Sequence, residues 1–193
     1  MKLEVVQYGH PVLRQKGARI EKITPEIEKL IEDMLETMYD ARGVGLAAQQ
    51  VGKALQLTVI DVRGVTDRPS SLELNGISTD PESFMPLALI NPEWKPVNDP
   101  VSGPEGCLSF PEIYAEIPRA ESIDVTATNQ KGEKITFRCG GLLARAIQHE
   151  YDHLHGVLFI DRMDKATFKK IKPELDGLVY STRNALKKSR RRG

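Results

Sequence analysis

His149-Glu150-Tyr151-Asp152-His153 sets two imidazoles four residues apart with a carboxylate between them. On a helix turning about 100° per residue, that step leaves the two histidines roughly 40° apart around the axis, so both can reach one metal ion. Glu150 lies too close in sequence to be a comfortable third ligand and is better placed to take a proton from water at the site. The set is two ligands and a base of a metallohydrolase. The bland alternative is a chance cluster of surface or satisfied core histidines. With four histidines in 193 residues, the clustering weighs against it.

The helix that must present this motif starts near Gly141 and carries Leu142, Leu143, Ala146, Ile147, Tyr151 and Leu154 before Gly156 stops it. Apolar residues cover much of its circumference, which predicts burial, and a buried histidine pair needs partners. An earlier helix begins at Thr24-Pro25, a cap residue followed by proline at the first helical position, and ends at Gly43. Its stripe of Ile27, Leu30, Ile31, Met34, Leu35 and Met38 reads as core. In Gly43-Val44-Gly45-Leu46-Ala47-Ala48-Gln49-Gln50, small residues either admit a peptide backbone or only turn the chain into the apolar strand 55–62. Residues 63–86 are rich in Pro, Gly, Ser and Asp without sustained periodicity, a long excursion. Strands are predicted over 87–91, 123–128 and 133–139, the last two joined at Gln130-Lys131-Gly132. After Asp161 the chain reads as helix, interrupted by Pro173 and resuming at Glu174.

The length suits one domain over 1–193, with 187–193 as a basic and disordered tail. Lys plus Arg and Asp plus Glu number 27 each, so net charge draws the body to neither DNA nor a membrane. Residues 1–8 lack the apolar run of a signal peptide, and no stretch approaches eighteen apolar residues; a soluble, cytoplasmic protein is expected. The tail Lys187-Lys188-Ser189-Arg190-Arg191-Arg192 is read as a solvated end, with a contact to RNA or the ribosome as the alternative.

The third ligand separates the classes of hydrolase. A metzincin would place histidine three residues after Gly156, but Phe159 stands there and cannot bind metal. A thermolysin-like endopeptidase would use a glutamate from a following helix, and Glu174 is at a plausible separation, although its place after Pro173 is also explained by the helix dipole. Two cysteines remain. Cys139 ends the alternating run 134–139 and reads as structural. Cys107, in the loop-like Gly103-Pro104-Glu105-Gly106-Cys107-Leu108-Ser109, is the candidate thiolate.

Three segments, Gly43 to Gln50, Glu105-Gly106-Cys107-Leu108-Ser109 and Gln148 to His153, together resemble peptide deformylase, and the likeness extends from Gly9-His10-Pro11-Val12-Leu13-Arg14 to about Asp161. The resemblance implies an α+β fold, with antiparallel β-sheets wrapped around a central metal-binding helix and a C-terminal helix. It implies removal of formyl from the N-terminal methionine of nascent peptides. By position, Cys107, His149 and His153 would be metal ligands, Glu150 the acid/base, and Gln50 with the Leu108 backbone N–H the oxyanion donors. Val44 and Gly45 would pair with an extended peptide, and Leu142 and Ala146 would line the methionine pocket. The family's ion is commonly Fe2+, while a Cys/His/His set also suits Zn2+, Ni2+ or Co2+. Asp152, turned away from the histidine face, is expected to pair with Arg119. Tyr114 and Arg145 depart from the pattern, where arginine and an apolar residue are usual. The rivals are the Glu174 endopeptidase and a catalytically inert RNA- or ribosome-binding homologue.

Overall fold

The computed structural model describes residues 1–191. Helix α1 (Pro25–Asp40) begins where Thr24 Oγ1 accepts from the Ile27 N–H at 3.3 Å, and it buries Ile31, Met34 and Met38. It leads into the short strand β1 (Gly45–Ala47) and then β2 (Leu57–Ile60). The segment 63–86, read as a long excursion without sustained periodicity, contributes β3 (Ser70–Leu74) and β4 (Ile77–Thr79). Asn75 and Gly76 both take positive φ between them, the tight two-residue turn that an Asn-Gly pair favours. Strands β5 (Leu87–Pro96), β8 (Ser122–Thr128) and β9 (Lys134–Gly140) complete a seven-stranded antiparallel sheet in the order β1-β2-β5-β8-β9-β3-β4.

Between β5 and β8 stands a second element, of which the sequence reading singled out only 103–109, as loop-like. Strands β6 (Pro100–Cys107) and β7 (Phe110–Ala120) form a two-stranded ribbon whose tip is Leu108-Ser109. Prolines 100, 104, 111 and 118 lack the N–H a central strand must donate, but a two-stranded ribbon leaves one edge of each strand unpaired and tolerates them. Cys107 is thus held at a strand end rather than in a loop.

Helix α2 (Gly141–Leu154) is buried along nearly its whole length and touches β1, β2, β3, β7, β8 and β9. Its first N–H groups, which no helical turn can satisfy, donate outward: Gly141 to the Glu121 carbonyl at 3.1 Å, Leu142 to that of Pro69 at 3.1 Å and Leu143 to Ser70 Oγ at 3.0 Å. Gly141 takes φ 66°, and a Cβ there would lie 2.1 Å from the Pro69 carbonyl oxygen, so only glycine opens this helix. Further along, Gln148 grips both backbone groups of Ala120, at 3.0 and 2.9 Å. The helix is therefore fixed in rotation as well as depth.

Helix α3 (Lys165–Arg190) runs unbroken through Pro173, contrary to the expected interruption. Pro173 is exposed, so the carbonyl it leaves unbonded can face water. The helix also carries Lys187 through Arg190, which the sequence reading placed in a disordered tail; Arg192 and Gly193 lie outside the described residues. No helix among the described residues is long and apolar enough to cross a membrane.

Candidate metal centre and cleft

The ligand atoms of Cys107, His149 and His153 lie within 4.8 Å of one another. The Cys107 Sγ to His153 Nε2 distance is 3.4 Å. Metal–sulfur and metal–nitrogen bonds of about 2.3 and 2.0–2.1 Å make the sulfur–nitrogen edge of a tetrahedron about 3.6 Å, so the three donors fit one ion with little adjustment. His149 donates through Nδ1 to Glu105 Oε1 at 2.8 Å, which turns its Nε2 toward the other ligands. Burial and the neighbouring His149 hold His153 well below its ordinary pKa, in the neutral form a metal requires. Glu174, the rival ligand, is exposed on α3 and is not part of this group.

Glu150 is buried beside the ligands, and its Oε2 has no hydrogen-bond partner. Burial raises its carboxyl to about 7. A Cβ on Gly45 would come within 2.6 Å of Glu150 Oε1, so β1 approaches the carboxylate as closely as a backbone can. Gln50 sits in a 3₁₀ turn over Ala48–Val51 with its Oε1 fixed by the Ala47 N–H at 2.9 Å. That orients its amide nitrogen toward Cys107 Sγ, at 3.5 Å, and Ser109 Oγ, at 3.2 Å. Leu108 is at the ribbon tip, its carbonyl accepting from Gln7 Nε2 at 3.3 Å. A cleft of about 670 Å³ opens onto these groups, and Val44, Gly45, Gln50, Leu108, Leu142 and Ala146 all line it.

Beneath the cleft lies a network the sequence reading largely missed. Glu105 receives two bonds from Arg119, both at 2.9 Å, one from Arg145 at 2.9 Å and the one from His149. Arg119 continues to Asp152 Oδ2 at 2.6 Å, as the sequence suggested, and Arg162 closes on the same carboxylate. Arg145, where an apolar residue was expected, also donates to the carbonyls of Ile117 at 2.7 Å and Val101 at 2.9 Å. It binds the ribbon to α2, and Gly103 leaves the room for it. Tyr114 is largely exposed and packs over Gly106. Beyond the expected Arg119–Asp152 pair, the signal for this network was Glu105 beside Cys107; arginines that end up buried look like surface residues in a sequence.

Burial alone would push the Glu105 carboxyl up, yet the bonds from His149 and Arg119 outweigh it and bring it down to about 2. A depressed carboxylate contributes stability that is complete above the unfolded value of 4.5 and fades as pH falls toward 2. The size is up to about 3 kcal/mol. Glu105→Gln is therefore expected to flatten the acid limb of a plot of unfolding free energy against pH; a limb as steep as the wild type's would remove Glu105 from this role.

A family model described as polypeptide deformylase matches residues 2–169. The chain belongs to the polypeptide deformylase family. Removal of the N-formyl group from newly made polypeptides is the reaction of these metal-dependent hydrolases, and this deformylase chain is an enzyme of that kind. A peptide deformylase of Opitutus terrae is 44% identical over 189 residues, covering 97% of this chain and 98% of its own length. One from Methylacidiphilum infernorum is 46% identical over 176 residues, covering 91% and 92%. The crystal structure of the peptide deformylase from Thermus thermophilus superposes with a TM-score of 0.78 at 36% identity, covering 93% of this chain and 99% of that one. The α+β architecture agrees with these structures. Neither the endopeptidase nor the inert RNA-binding homologue finds support.

Proposed function

We propose that this deformylase acts on N-formylmethionyl nascent peptides with Cys107, His149 and His153 holding one divalent ion, Glu150 as acid/base, and Gln50 with the Leu108 N–H as oxyanion donors. The observation that carries the reading is the buried, unpartnered Glu150 oxygen beside three converging ligand atoms. When bound, the ion supplies Lewis acidity and lowers the pKa of water at the site. Glu150 takes a proton from that water as its oxygen bonds to the formyl carbon. The carbonyl oxygen, now negative, is met by the Gln50 amide and the Leu108 N–H. Glu150 then passes the proton to the departing nitrogen as the C–N bond breaks, leaving formate and a free amine.

An extended peptide pairs along Val44 and Gly45, where the chain enters β1, an edge strand of the sheet, while Leu142 and Ala146 receive the methionine side chain. The proposed ion is Fe2+, with Zn2+, Ni2+ and Co2+ also suited to this donor set. One catalytic domain comprises the chain, it works in the cytoplasm, and the basic end of α3 is a solvated end, with a ribosome contact as the alternative reading. Formate release from formyl-Met peptides, read together with metal analysis of anaerobically prepared protein, tests the central reading; loaded protein that releases no formate would overturn it. Gln50→Ala is expected to lower kcat on the order of 10²-fold. A change confined to KM would make Gln50 a binding residue.

A further inference from the structure

Helix α1 leaves its last turn through an unfavourable residue. Ala41 caps it, Arg42 takes φ 55°, and the Gly43 N–H returns to the Met38 carbonyl at 2.9 Å. This left-handed seat after a helix usually holds glycine, because a Cβ is crowded there. A glycine is adjacent, at position 43, yet the arginine occupies the seat. Local geometry of this kind persists where surrounding structure or function requires it.

The fold gives Arg42 no obvious return. Its side chain is exposed, and the nearest acidic groups in sequence are engaged elsewhere, Asp40 with Lys2 and Glu36 with the Met1 amino group. What Arg42 does is line the cleft, together with Arg68, whose guanidinium donates to the Pro104 carbonyl at 2.9 Å. The acidic residues lining that cleft are Glu105, already bound by Arg119, Arg145 and His149, and Glu150 at the reacting centre. The outer cleft therefore presents positive charge without a carboxylate of its own to neutralise it.

Position gives that charge a target. Gly45 abuts Glu150, and the chain leads away from the reacting group through Val44 and Gly43 to Arg42. Arg42 lines the same cleft as Gly45 and Glu150, on the far side of Gly43 and Val44, and an extended peptide advances about 3.3 Å per residue, so the second and third residues after the methionine are the ones its side chain can meet. We infer that Arg42, with Arg68, is a specificity residue that favours substrates carrying an aspartate or glutamate two or three residues after the formylmethionine. The inference rests on the cleft being the peptide site proposed above.

The test compares kcat/KM of the metal-loaded enzyme on C-terminally amidated formyl-Met-Ala peptides with Glu, Gln or Lys at each of the next two positions. Ratios between peptides within one variant do not depend on its folded fraction. Wild type is expected to prefer Glu over Lys by about three- to tenfold at one of these positions, shrinking with added salt. Arg42→Glu should invert the order. Arg42→Gly should level it while raising Tm, since glycine suits the helix exit. Equal rates for Glu and Lys peptides, or an order unmoved in Arg42→Glu, would overturn the inference while leaving deformylation intact. A lower Tm in Arg42→Gly with unchanged ratios would make Arg42 structural and overturn it equally. Formate release from none of the peptides would overturn the reading of the cleft, and this inference with it.

Discussion

Glu150→Gln is expected to retain the metal and lose about 10²- to 10⁴-fold in turnover, the range over which positioned acid/base groups contribute. The amide nearly matches the carboxyl in size, so the buried slot beside Gly45 stays filled and α2 stays in place. What it lacks is a site for the proton that must leave water and later reach the departing nitrogen. The loss should appear in kcat at unchanged metal content, measured by formate release beside elemental analysis. Turnover close to wild type would show that the proton travels by another group and would remove Glu150 from this role; Glu105, the other carboxylate of the cleft lining, is committed to its arginines.

The second large effect is expected at Cys107. Removing the groups that merely orient a metal ligand typically weakens affinity 10- to 100-fold, so replacing the thiolate itself, as in Cys107→Ser, should weaken it by more than about 100-fold. Activity should fall in parallel. Glu174→Gln is the matched control: its carboxylate is solvated on α3, far in role from the three converging donors, and its loss should change neither metal nor rate. Metal lost from the Glu174 variant and kept by the Cys107 variant would reverse the ligand assignment.

The parts of the site that could be read in advance are those whose chemistry depends on local spacing. Two imidazoles on one helix face need only a four-residue step, whereas the small residues from Gly43 to Ala48 left a close backbone approach and a plain turn equally open. The ribbon was hidden because its prolines and glycines at 100–106 look like loop until one sees that its strands have only each other as partners. The strand pair in 63–86 carried its own sign in Asn75-Gly76, but the strands beside it are short and mixed in polarity. Least legible were the bonds of Arg119 and Arg145 to Glu105, although the pairing of Arg119 with Asp152 had been expected. A buried guanidinium is specified by the carboxylates and carbonyls that happen to surround it after folding, and those come from β6, β7 and α2, up to 44 residues away.

The placement of Cys107 has a consequence beyond coordination. The histidines belong to a helix rooted in the large sheet, whereas the sulfur belongs to the tip of a ribbon that pairs only with itself. An ion shared between them would be a staple joining two parts of the molecule, and by mass action each tenfold rise in free metal above its dissociation constant would add about 1.4 kcal/mol to the folded state. With these three residues as its ligands, heat resistance is expected to follow metal supply, and a starved chain would forfeit durability along with catalysis.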